Sequence, residues 1–318
     1  MKKFNVLPLV LALPLLVSCG AKDVKAPKFA KEGDKVEYEA WNEANNTATK
    51  ANAFFPDAPD ALLPSFKASS ETESINKTEV KREKKVVRSN SNYSKSSEEY
   101  QSDTANGLIR TKEDRRGVEE SKTPNGTSKT NTKHKYEHSY QKGTYEDKEY
   151  MMDVRVPYKT YVLDGQVTET TSYAKLLDNE ARNIVNLDIM LPTIIIATYS
   201  LADEEEKKNF SFYQKGDLFT AEYKKEEKGI ETKDAEDKVK WSADKDTSWK
   251  IQFDFTSKES FKLVYYYELI TTTTYNVSNS PCMPGDVKVE TRKESFTAEV
   301  AKKDVSLKAE DLSKFIKV

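Results

Sequence analysis

An α+β fold is predicted: a curved, half-barrel-like antiparallel sheet with an N-terminal helix and a long central helix packed on one face. Three observations predict it. In the last third of the chain apolar residues recur at every second position, in Trp249, Ile251, Phe253 and Phe255 and again in Phe261, Leu263, Tyr265, Tyr267 and Leu269. That alternation belongs to antiparallel strands with one face on a core. Between residues 173 and 201 the apolar positions instead recur at three and four, through Leu177, Ile184, Leu187, Leu191 and Ile195, the period of a helix. Finally, 17 Tyr and 13 Phe supply apolar area that a disordered chain with 33% charged residues would lack.

The chain begins with Lys2, Lys3 and an apolar run from Phe4 to Val17, which ends at Ser18-Cys19-Gly20. A basic start, a short apolar centre and small residues at its end are the layout of a secretory signal. A membrane-spanning helix needs about 20 apolar residues; this run is shorter and contains Pro8 and Pro14, so a permanent transmembrane helix is not expected. Leu16-Val17-Ser18-Cys19 resembles the lipobox of bacterial lipoproteins. The resemblance implies a diacylglyceryl group on the Cys19 sulfur, cleavage before Cys19 and further acylation, for example by palmitate, of the new amino end. One acyl chain binds a membrane only marginally, whereas two or more hold a protein there. The implied location is the cell membrane, lipid-anchored on its extracytoplasmic face. The competing reading is a secreted protein in which Cys19 is incidental.

Three regions follow: a signal peptide at 1–18, an acylated N-terminus and flexible tether at 19–33, and a single α+β domain at 34–318. Within the domain, Asp34 caps a helix whose apolar face runs through Val36, Ala40, Trp41, Ala44, Ala48, Ala51 and Phe54, and Pro56 stops it. Residues 65–147 are rich in Ser, Thr, Lys, Glu and Asn, with hairpin signals at Asn106-Gly107 and Asn125-Gly126, and read as antiparallel strands exposed on one face, with thin packing. A strand is expected over 151–163. The central helix is expected over 173–201, kinked near Pro192 and kept out of the membrane by Asp178, Glu180, Arg182 and Asp188. A turn at Lys215-Gly216-Asp217 opens the aromatic strands, a final strand pair spans 287–300, and Leu312, Phe315 and Ile316 offer a closing contact.

This element order, with lipidation, resembles the LolA and LppX group of exported lipid-binding proteins, which implies a half-barrel closed by helices over an apolar cavity. Trp249, Phe253, Phe255, Leu263 and Tyr265 on the strands, facing Ile184, Leu187 and Leu191 on the helix, would line such a pocket for an amphiphile. The same residues also fit an ordinary packed core.

Other chemistry finds little support. The formal charge of −2 gives no basic excess for nucleic acid, and loss of Lys2 and Lys3 makes the mature chain more acidic. With Cys19 acylated, Cys282 has no disulfide partner; in PCMPGD it reads as a buried structural cysteine. His134-Lys135-Tyr136-Glu137-His138 matches the inverted zinc-protease pattern, but that chemistry needs a helix and the surrounding alternation is that of a strand. No nucleophile elbow, phosphate loop or dinucleotide fingerprint occurs, so neither catalysis nor a cofactor or metal is expected. Three functions remain, in falling order: a membrane-anchored carrier of a lipid or other amphiphile, a structural or interaction lipoprotein with a solid core, and an exported hydrolase.

Overall fold

The computed structural model describes residues 23–46, 50, 65–103, 106, 108–145, 148–156, 160–163, 197–309, 311 and 316–317. Its elements are β1 (Asp34–Val36), α1 (Tyr38–Asn45), β2 (Phe66–Arg82), β3 (Lys85–Asp103), β4 (Leu108–Thr123), β5 (Gly126–Tyr145), β6 (Lys148–Val156), β7 (Thr160–Leu163), α2 (197–201) and α3 (Glu204–Lys207). They continue with β8 (Phe210–Lys215), β9 (Leu218–Lys233), β10 (Val239–Asp254), β11 (Ser260–Tyr275), β12 (Val287–Lys302) and β13 (Ile316–Lys317).

All thirteen strands join one sheet, in the order β1-β8-β9-β10-β11-β12-β2-β3-β4-β5-β6-β7-β13. It consists of two antiparallel meanders, β8 to β12 and β2 to β7, fused where β12 pairs with β2 in register from Val287↔Lys81 to Lys302↔Phe66. Only the β7–β13 pair is parallel among the described strands. At about 3.3 Å per residue, the strands of 16 to 20 residues in β2 to β5 and β9 to β12 reach roughly three times the usual strand length.

Among the described residues the structure is 67% strand and 9% helix, the helices being short. This corrects the α+β expectation: the fold is a large antiparallel sheet, and among the described residues there is no long central helix. Of residues 173–201 only 197–201 are described, as α2, and Ile184, Leu187 and Leu191 lie outside the described residues, as does Cys19. Two smaller corrections have plain causes. Asp34 does not cap a helix but starts β1, because its backbone pairs with Gln214 of β8, and α1 begins only after Glu37. The expected single strand over 151–163 is two, β6 folded back on β7 with Met152 opposite Leu163. Pro157 lies between them, and a proline has no N–H to give to a ladder.

The Lys215-Gly216-Asp217 turn falls where expected, whereas the β4–β5 turn is Pro124-Asn125, one residue before the expected Asn125-Gly126. Gly216, with φ of 58°, turns β8 into β9, and β4 meets β5 at Thr123↔Gly126. The β2–β3 turn, Glu83-Lys84, lacks the usual glycine, yet both residues take left-handed φ of 48° and 65°, which matches the strand twist in two-residue hairpins.

The apolar residues gather at one end of the long strands and on one face. Phe66 and Ala68 of β2, Tyr100 of β3, Ile109 of β4, Phe219 and Ala221 of β9, Ile251 and Phe253 of β10, Leu263 of β11 and Val300 of β12 form one buried cluster. α1 closes it. Tyr38, Trp41 and Asn45 fall at helical spacing on its inner side, and Trp41 is fully buried, its ring 5.2 Å from Phe212, 6.4 Å from Phe219 and 6.5 Å from Phe253. The Tyr199 ring of α2 lies tilted 4.0 Å from that of Tyr38 and meets Phe210 and Phe212 edge-on.

Truncating a buried aromatic removes its transfer free energy and leaves a cavity, at a cost of about 3–5 kcal/mol. Trp41→Ala is therefore expected to lower the unfolding free energy by about that amount in urea titration. The Trp41 Nε1 makes no hydrogen bond, so Trp41→Phe, which keeps most of the ring, is expected to cost clearly less.

Candidate functional site

The sheet has two faces with different chemistry. On the core face the end clusters give way to small polar side chains: Ser70, Thr72, Ser74, Asn76 and Thr78 of β2 lie beside Asn90, Asn92, Ser94 and Ser96 of β3. Ser74 and Ser94 share a 2.7 Å hydrogen bond, and Asn92 and Ser94 are exposed.

The five strand residues expected to face a ligand all fall in or against the apolar cluster. Phe253, Phe255 and Leu263 are buried in it, while Trp249 and Tyr265 are partly buried against it. Their neighbours are other rings: Trp249 stacks on Tyr223 at 5.7 Å and meets Phe210 at 5.8 Å, and Phe255 lies 5.7 Å from Phe261. Burial pushes the Tyr265 hydroxyl above its ordinary pKa. Tyr223 is raised as well, by burial and by donating its hydroxyl proton to Glu206.

The opposite face is crossed by the segment 23–33, which the sequence reads as a tether. It lies on the sheet as a strap that touches several strands in turn. Gln252, itself buried, accepts from the Ala30 N–H at 2.7 Å and donates to the Ala30 carbonyl at 3.1 Å and to Thr220 Oγ1 at 3.0 Å. Its amide thus satisfies the strap backbone as a strand would. Lys250 pairs with Glu32 and, at 2.8 Å, with Glu222. Further along, Lys293 holds Asp23 at 3.0 Å, and Val24 is buried with Ile75 and Tyr93, flanked by Val118 and Tyr266. Gly33 completes the crossing, since a Cβ there would stand 1.9 Å from the Gln214 carbonyl oxygen, and no side chain fits.

Beyond the strap this face is a lattice of opposite charges. Lys95 reaches Glu71 at 2.5 Å and Glu73 at 2.9 Å, Arg116 reaches Asp114 at 3.1 Å, and Lys262 reaches Glu299 at 3.2 Å. Such exposed pairs contribute about 0–1 kcal/mol each; they specify register more than they supply stability. A polar cavity of about 470 Å³ opens here over β11, β12, β2 and β3, lined by Ser69, Glu71, Ser97, Glu99, Lys262 and Glu299 among others. Its walls suit a hydrated partner and not an acyl chain.

His134 and His138 both lie on β5, opposite Arg115 and Thr111. Four residues along a strand separate their Cα atoms by roughly 13 Å. Glu137 has the opposite parity and pairs with Arg110 and Lys112 at 3.6 and 3.7 Å. Among the described residues no three His, Cys, Asp or Glu side chains are placed to hold a metal, and no helix is long and apolar enough to cross a membrane.

At the far end of the strands Asp286, wholly buried, accepts two hydrogen bonds from Arg82 at 2.8 and 2.9 Å and one from the Met283 N–H at 2.9 Å. This ties the β11–β12 connection to the end of β2. Cys282 is buried beside Val80 and Tyr275, and burial, followed by the nearby Asp286 charge, raises its thiol pKa. An unreactive, protonated thiol is the result. No sequence signal marked the Arg82–Asp286 pair or the strap: their partners stand more than 200 residues apart.

No protein-family model matches the chain, and no curated protein matches it.

Arg82, against desolvation, holds the Asp286 carboxyl below its ordinary pKa. A carboxylate with a depressed folded-state pKa contributes stability above its unfolded value, about pH 4, and loses it as pH falls through the folded value. Asp286→Asn is therefore expected to be less stable than the parent at neutral pH and to show a flatter loss of stability below about pH 4, as read by urea unfolding across that range.

Proposed function

We propose that this protein is a lipid-anchored lipoprotein of the extracytoplasmic membrane face that acts as a structural or interaction protein through the surface of its extended sheet. The observation that carries this reading is the β2–β5 meander. Over most of the length of these strands both faces are polar and exposed or half-exposed, apart from the Val24 contact. A sheet that builds so much area without burying it creates surface, and surface is what a macromolecular partner reads. The dense ring-to-ring packing of Trp249, Phe253, Phe255 and Leu263 supports a solid core over a carrier cavity at that site. The anchor rests on the Leu16-Val17-Ser18-Cys19 motif, and the reading involves no catalytic step.

Two measurements on one variant test it. Cys19→Ser, expressed in a lipoprotein-processing bacterium, is expected to lose acyl labelling and leave the membrane fraction; retention there with normal signal processing would overturn the anchor. Native mass spectrometry of the mature chain carrying the same substitution is expected to show the bare polypeptide mass. Stoichiometric bound lipid across preparations would overturn the interaction reading in favour of an amphiphile carrier.

A further inference from the structure

The strap and the charge pattern of β4 and β5 together indicate how such an anchored sheet meets the bilayer. We infer that the strap-side face of β4 and β5 is a docking surface for an anionic phospholipid bilayer, so that the molecule lies with this face toward the membrane and its core face outward. The inference rests on the proposed anchor for its geometry, but its charge component stands apart from it.

The geometry comes first. Read toward the N-terminus, the strap passes from β8 over β10, at Gln252 and Lys250, to Val24 against Ile75 and Tyr93 of β2 and β3, and then to Asp23, which Lys293 of β12 holds. Lys293, Ile75, Tyr93 and Val118 form one row across β12, β2, β3 and β4, with Asn131 of β5 next. The chain therefore leaves Asp23 on the strap side. Four residues span at most about 14 Å, about three strand spacings of 4.8 Å. An acyl group on Cys19 is thus held close to this face and cannot let it stand far from the lipid.

Charge comes second and independently. On the strap side β4 presents Arg110, Lys112, Arg116 and Lys122, and β5 presents Lys129, Lys133 and Lys135; the carboxylates among them are Asp114, Glu120 and Glu137. Several of the cations also stand farther out, although Arg110 does not. The side chains of Lys112, Arg116 and Lys135 are 52%, 60% and 68% exposed, against 23%, 22% and 34% for Asp114, Glu120 and Glu137. The core side of the same strands carries Glu113, Arg115 and Glu119 among Thr111, Ser128, Thr130 and Thr132, with no cationic excess. In a chain with net charge −2, a cationic stripe on the face where the anchor emerges is matched to a negative surface.

The test uses the mature chain carrying Cys19→Ser, which has no acyl group, with phosphatidylcholine vesicles containing or lacking phosphatidylglycerol. Cosedimentation is expected only with phosphatidylglycerol and only at low salt. Adding Lys129→Ala, Lys133→Ala and Lys135→Ala should weaken it by about tenfold or more, whereas Thr130→Ala with Thr132→Ala on the other face should not. A second arm uses the acylated protein, with Cys282→Ser, on the same vesicles: a fluorophore on Lys133→Cys should be quenched by headgroup nitroxides and one on Thr132→Cys spared. Equal affinity for both vesicle types, insensitivity to the lysine substitutions, or equal quenching on the two faces would overturn the proposal. Acyl labelling of the parent chain is scored separately, so loss of the anchor reading and loss of this one are told apart.

Discussion

The seating of Trp41 and its aromatic neighbours on one end of the sheet is the interaction on which the remaining architecture depends. Along the sheet each strand is joined to its neighbours by backbone ladders, and a ladder alone adds little net free energy over hydrogen bonds to water. The burial that offsets chain entropy is concentrated where Phe66, Phe219, Ile251, Phe253, Leu263 and Val300 come together under α1. From that end the strands run outward well past their apolar support. They are steadied by smaller devices: the strap with Val24 midway, and the Arg82–Asp286 pair with Val80, Tyr275 and Cys282 at the far end.

Such a plan separates folding from presentation. The supported end sets the register, and a one-residue slip anywhere would turn Phe66, Tyr100 and Ile109 to the wrong face. With register fixed there, the outer lengths of β2 to β5 are free to carry whatever polar side chains their surroundings demand. Ser, Thr and Asn predominate on the core side of β2 and β3, with Glu113, Arg115 and Glu119 on that side of β4, and an ionic lattice occupies the other face, so that the two faces differ in chemistry. The long strands β2 to β4 are paired on both sides, whereas β5 meets β6 only from Glu137 to Tyr145, so among the described residues its stretch 126–136 forms an edge, guarded by Lys129, Lys133 and Lys135.

Much of this was legible where a residue pattern has a direct physical cause. Period-two alternation located Phe253 and Leu263 on strands facing a core, and Phe255 in the same core just past the end of β10; Asn-Gly pairs marked two of the hairpins between polar strands, and the parity around His134 and His138 pointed away from a helix. What could not be read was non-local. Val24 is a single apolar residue in a charged segment, and only the hollow between Ile75 and Tyr93 makes it buried. Asp34 has the chemistry of a helix cap, but pairing with β8 outweighed that local preference. Apolar spacing at three and four over 173–201 weighted the fold toward helix, whereas the balance of the molecule is sheet. The amphiphile pocket rested on the same spacing, and periodicity reports that a face is apolar without reporting whether it is hollow.

Native-state hydrogen exchange resolved along the strands tests the central claim most directly, because it reads local opening free energy residue by residue. The account predicts the slowest exchange at the supported end, around Ala68, Phe219, Phe253, Leu263 and Val300, with protection falling along the same strands toward Asn76, Asn92, Glu231 and Thr271. Equal protection from one end of each strand to the other, or maximal protection in the polar middle of β2 to β4, would contradict it.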